Sequence, residues 1–68
     1  MDVRQRLGQN LKRLRGLKGW SQERYAFEAN IHRTYISDLE RGARNPTVAV
    51  VEKLAIPFGL GAADLLAD

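Results

Sequence analysis

Arg33, Thr34, Ser37, Asp38 and Arg41 fall at i, i+1, i+4, i+5 and i+8, a spacing that gathers them on one side of a helix. Ile36, Leu39 and Glu40 fall on the other side. The first face is short, polar and dense in hydrogen-bond donors and acceptors, and no interior element needs it. Such a face suits recognition of another molecule. Catalysis finds nothing comparable: the 68 residues include no cysteine and one histidine, which excludes disulfide, zinc-thiolate and histidine-cluster chemistry. No nucleophile with a base, and no carboxylate pair beside a pocket, is apparent. The expectation is a protein that is not an enzyme, with no catalytic or metal site, no cofactor and no evident small-molecule ligand.

Helices must position that face. Gly19, Asn30, Gly42 to Pro46 and Gly59 to Gly61 punctuate the chain into five short segments. Val3, Leu7, Leu11 and Leu14 recur at helical spacing and predict a first helix over about residues 2–17. Ser21 can cap a second, in which Glu23 favours the dipole and Tyr25, Ala26 and Ala29 form the buried side. Asn30 sits where a helix must stop within one residue, and asparagine tolerates the left-handed conformation this requires. A third helix follows over about residues 32–41. Thr47 is placed to cap a fourth with Val48, Val51, Leu54 and Ala55 pointing inward, until Pro57, which lacks an amide donor, forces a stop or sharp kink. A fifth helix over about residues 62–66 offers Leu65 and Leu66. The chain reads as one all-α domain with a core small enough that every buried leucine matters.

The formal charge of +3 is unevenly spread. Residues 1–20 carry six basic side chains against Asp2, residues 21–45 carry four of each sign, and residues 46–68 carry Lys53 against Glu52, Asp64 and Asp68. That asymmetry suits an anionic partner, because neutralising phosphates releases condensed counterions, although solvated basic helix faces have the same composition. No run approaches the roughly 20 apolar residues of a membrane span, and the first residues lack the pattern of a secretory signal. A soluble cytoplasmic protein without a membrane partner is expected.

The stretch Trp20-Ser21-Gln22-Glu23 through Ala26, then Ile31-His32-Arg33-Thr34-Tyr35-Ile36-Ser37-Asp38-Leu39-Glu40-Arg41-Gly42, then Arg44-Asn45-Pro46-Thr47 and Lys53-Leu54-Ala55 closely resembles the Cro/cI-type, lambda-repressor-like family of DNA-binding domains. The resemblance covers about residues 5 to 66, and Arg33 to Ser37 is similar to the recognition helix of restriction–modification controller proteins. It implies a compact five-helix fold with a helix-turn-helix at about residues 21–41, whose third helix docks in the major groove of double-stranded DNA. Gln22 then matches a residue that grips a phosphate at the second helix's start, where free amides also suit an anion. Arg33 and Thr34 match the positions that reach base edges: arginine can donate two bonds to guanine, and threonine offers a hydroxyl to a base or a methyl to thymine. Tyr35 is grouped with them, its hydroxyl toward base or phosphate, with a purely structural role the open alternative. Ser37, Arg41, Arg44 and Asn45 are expected on the sugar-phosphate backbone. Asp38 stays open between accepting a bond from cytosine and excluding wrong sequences. Arg15 and Glu40 match a partly buried ion pair between the first and third helices, a structural role.

Four positions depart from the family pattern. Asn30 replaces the usual glycine, and Phe27 stands where a polar residue is usual, an exposed aromatic that can mark a partner surface. His32 stands where serine, threonine or aspartate commonly caps the third helix, leaving a weaker helix start, a phosphate contact or a merely exposed histidine as its readings. Pro57 interrupts a helix that usually continues.

One recognition helix reads only a few base pairs, too little discrimination against competing sites, so a homodimer is expected. Its interface is placed in the apolar last third, at Ile56, Phe58, Leu60, Leu65 and Leu66; the open alternative is that these finish the monomer core. The leading function is a sequence-specific transcriptional regulator. A protein-interaction module, adaptor or antitoxin, is the alternative, which has no need of Arg33 with Thr34 or of Arg44 with Asn45. With no linker trailing Asp68, a whole small regulator is favoured over a piece of a longer protein.

Overall fold

The computed structural model describes residues 2–68. Its elements are α1 (Val3–Leu17), α2 (Gln22–Ala29), α3 (Arg33–Glu40), α4 (Val48–Ala55), a 3₁₀ turn at Ile56–Phe58, and α5 (Ala62–Leu66). Among the described residues there is no strand, and no helix is long and apolar enough to cross a membrane.

Each long helix starts where a side chain can accept from its free amides. Asp2 accepts from the Arg4 amide at 2.7 Å while Gln5 Oε1 accepts from the Asp2 amide at 3.3 Å, a reciprocal cap. Ser21 Oγ accepts from Arg24 N–H at 3.0 Å and Thr47 Oγ1 from Val50 N–H at 3.2 Å, as expected of both. His32 does the same for α3: its Nδ1 accepts from Thr34 N–H at 3.2 Å, so the histidine substitutes chemically for the commoner hydroxyl or carboxylate. Asn30 adopts φ 55° and ψ 48°, the left-handed stop expected between α2 and α3. Pro57 ends α4 as expected, and the chain turns through 3₁₀ geometry to Gly59 at φ +70°.

Burial follows the amphipathic stripes with three corrections. Leu7, Leu11, Tyr25, Ile36, Leu39 and Leu54 fill the centre, with Ala26, Ala29, Val51 and Ala55 around them. Val48, expected inward, is 74% exposed. It occupies the first turn of α4, beyond the reach of the other helices, and Val50 turns partly inward in its place. Val3 is likewise half-exposed at the open end of α1. Leu65, assigned from sequence to a dimer interface, is fully buried in the monomer core; α5 packs between α1 and α4, and that embrace leaves Leu65 nothing to offer a second copy. Phe58, Leu60 and Leu66 are half-buried against the same core.

Two polar devices tie the ends together. Asn10 Nδ2 donates to the carbonyls of Leu65 at 2.8 Å and Ala67 at 2.9 Å, and Arg6 Nη1 donates to that of Leu66 at 3.2 Å. These satisfy carbonyls that the short α5 cannot bond within itself. Tyr25 Oη donates to the Leu54 carbonyl at 2.6 Å, near the end of α4 where intrahelical amides run out. Burial, with the Glu40 charge adding to it, raises the pKa of Tyr25, so its hydroxyl stays a donor. Its ring packs 4.9 Å from that of Phe58, with Trp20 beyond them.

Candidate nucleic-acid interface

α2 and α3 are joined through Asn30, Ile31 and His32 and pack on each other, and α3 packs on α1 through a very close approach. A Cβ built on Gly8 of α1 would lie 2.5 Å from the Leu39 carbonyl oxygen and 2.8 Å from that of Glu40. Glycine is therefore what lets α1 lie against the end of α3.

Beside that contact, the Arg15 guanidinium holds Glu40 through two bonds, Nε to Oε2 at 2.7 Å and Nη2 to Oε1 at 3.0 Å, and donates a third to the Trp20 carbonyl at 2.8 Å. The Glu40 side chain is only 4% exposed and that of Arg15 17%. The expected ion pair is thus present and more deeply buried on its acidic side. The bond to Glu40 raises the pKa of Arg15 further above its usual value, and the guanidinium remains charged. Gln22 joins the pair, with Nε2 donating to Glu40 Oε1 at 3.0 Å. One of its two N–H groups is occupied in this way, and the carboxylate orients the other at the start of α2.

Arg33 and Thr34 are exposed in the first turn of α3. Among the described residues no carboxylate pairs with Arg33, whereas Arg4, Arg6, Arg15, Arg24, Arg41 and Arg44 all have acidic partners. Three of those paired arginines lie in the basic first 20 residues, where Lys12, Arg13 and Lys18 remain exposed with no acidic partner among the described residues. Ser37 is half-buried midway along α3, and Asn45 is exposed in the loop that follows.

Arg41 and Arg44 are drawn together by a residue whose role the sequence left open, and Tyr35 meets them through Arg44. Asp38 Oδ1 accepts from Arg41 Nη2 and Oδ2 accepts from Arg44 Nε at 3.2 Å, while the Arg44 guanidinium lies 5.0 Å from the centre of the Tyr35 ring. The backbone assists: Gly42, at φ +74°, lets the chain turn back so that Ala43 N–H donates to the Asp38 carbonyl at 2.9 Å. The i, i+3 spacing of Asp38 and Arg41 is a helix-surface pairing signal legible in sequence. Arg44 lies beyond the helix end, where no such rule reaches.

This arrangement presents a helix whose leading edge is free and polar, flanked by cations along its trailing end and by an oriented amide at the start of the preceding helix. A helix-turn-helix family model matches residues 11–65. The control protein C.BamHI of Bacillus amyloliquefaciens is 44% identical over 66 residues, which cover 96% of this chain and 82% of that one. Among solved structures, a hypothetical transcription factor from Neisseria superposes with a TM-score of 0.91 at 39% identity, covering 97% of this chain and 76% of that chain. The restriction–modification controller protein C.AhdI from Aeromonas hydrophila does so with a TM-score of 0.84 at 37% identity, covering 91% and 94%. With the family match spanning the core, the turn and α3 alike, the chain belongs to the Cro/cI-type helix-turn-helix family of DNA-binding transcription regulators, whose members are regulators and not enzymes.

Proposed function

We propose that the protein is a sequence-specific regulator that binds a pseudo-palindromic operator in double-stranded DNA as a homodimer, with α3 in the major groove. The observation that carries this reading is the unpaired Arg33 beside Thr34 at the exposed start of α3, in a chain whose other arginines on α2, α3 and the following loop are engaged by carboxylates. Arg33 and Thr34 read base edges, with Tyr35 beside them, its ring steadied by Arg44. Gln22, Ser37, Arg41, Arg44 and Asn45 hold the backbone. Two similar proteins are named as a control protein and a restriction–modification controller, which supports a controller role of that kind here. Selection of binding sites from random duplexes tests the reading: a defined inverted repeat is expected, and no enrichment would overturn it.

Replacing Arg33→Ala is expected to weaken binding to the selected duplex by about 1–3 kcal/mol, the discrimination a bidentate guanine contact supplies. Binding to random duplexes should change far less. Titration by fluorescence anisotropy at fixed salt distinguishes the two, and equal losses on both would reassign Arg33 to phosphate.

For the dimer, the apolar surface left open in the last third is narrower than the one expected from sequence. Leu65 is consumed by the core, while Ile56 is 64% exposed at the end of α4, next to half-exposed Phe58 and Leu60. Ile56→Asp is therefore expected to leave the fold intact and shift sedimentation at micromolar concentration from dimer toward monomer. A monomeric parent protein, both free and on the selected duplex, would overturn the homodimer.

A further inference from the structure

We infer that Asp38 is a positioning residue for sequence discrimination: it binds Arg41 and Arg44 before DNA arrives and keeps them from acting as unselective phosphate grips. The inference rests on the DNA-binding reading above and adds a residue to it. Both carboxylate oxygens are used, one for each arginine, and the Asp38 side chain is only 18% exposed while those of Arg41 and Arg44 are 65% and 50% exposed. A carboxylate shared in this way is already engaged at both oxygens, each of which has one lone-pair site left for a further donor.

Isolated surface ion pairs contribute little, but this one is a network with a third restraint, the Tyr35 ring beneath Arg44. Held at its Nε by Asp38 and set against the Tyr35 ring, the Arg44 guanidinium keeps its two terminal nitrogens without a protein partner among the described residues. That restraint removes part of the ordering cost of binding, provided the backbone passes where those nitrogens point. It also lowers the charge of the trailing end of α3, since two cations share one carboxylate. Less charge means fewer counterions released on any duplex. Asp38 thus weakens binding that depends on charge alone and favours binding in which the docked geometry is met. Tyr35 is coupled to the same device, because its ring is the surface against which Arg44 is set.

Asp38→Asn keeps the shape and removes the charge. On the full protein, anisotropy titrations with the selected duplex and with a scrambled duplex of equal length are expected to show tighter binding to the scrambled one. The ratio of the two affinities should fall roughly tenfold, the order of one charge-assisted hydrogen bond. The salt slope on the scrambled duplex should steepen by about one unit as a cation is released to phosphate. Without DNA, the Arg44 Nε–H cross-peak in nitrogen–proton spectra should be sharp in the parent protein and broadened by exchange in the variant. A general loss of folding would weaken both duplexes and steepen neither slope. An unchanged ratio would overturn the inference while leaving DNA binding standing, and so would a change of preferred base at one operator position, which would make Asp38 a direct reader. A parent protein that binds both duplexes equally would overturn the DNA reading and this inference together.

Discussion

Arg15→Met is expected to lower stability by about 3–5 kcal/mol, the cost of leaving one member of a buried pair without its partner. The substitution keeps most of the aliphatic stem, so the loss is electrostatic and not a cavity. Glu40 would be left 4% exposed with the Gln22 amide as its remaining side-chain donor, and the Trp20 carbonyl would lose the bond that ties the α1–α2 connection. For a domain of 60–100 residues each kcal/mol moves the melting temperature by about 4–8 °C, so the midpoint should drop by well over 10 °C in circular-dichroism melts. The double variant Arg15→Met with Glu40→Leu should recover most of that loss, because an apolar pair of similar volume removes the stranded charge. A single variant that melts within 2 or 3 °C of the parent would show that the pair contributes orientation and little stability.

Gly8→Ala should be nearly as damaging, against the usual ordering of helix formers. In an exposed helix the change would be worth up to about 1 kcal/mol in favour of alanine. Here the new methyl meets two backbone carbonyl oxygens at 2.5 and 2.8 Å. Neither can rotate away, so α1 and α3 must separate. Overpacking of this kind costs typically 1–3 kcal/mol and occasionally more; with no side chain able to yield, a net loss of about 3 kcal/mol is expected. Separation would also stretch the Arg15–Glu40 bridge one helical stretch away, so the two substitutions should not be additive. Urea titration of the two single variants and the double variant measures this. A stabilised Gly8→Ala would mean that the helices do not approach as closely in solution. Gly16, on the same helix with open space around it, provides the internal control: there alanine should stabilise.

The helices and their limits were legible in the sequence because they are local matters. Ser21 and Thr47 cap within three residues of themselves, Asn30 stops α2 by its own dihedral angles, and Pro57 breaks α4 through its own ring. The polar face of α3 was legible for the same reason, since a period of 3.6 determines which residues share a side. The family pattern then supplied the Arg15–Glu40 pair, which composition alone does not reveal. Depth was not legible. An amphipathic stripe says which way a residue points but not whether another helix reaches it, and so Val48 is exposed and Leu65 buried. Gly8 carried no signal at all, because its role exists only where α1 crosses the end of α3. The placement of charge was also tertiary. Arg6 and Asn10 close the far end of the chain, and Asp38 engages Arg44 only because the loop after α3 folds back on it. Sequence patterns report relations within a turn or two of helix; which cations remain free for a phosphate depends on carboxylates brought close from elsewhere, and only the packed structure brings them there.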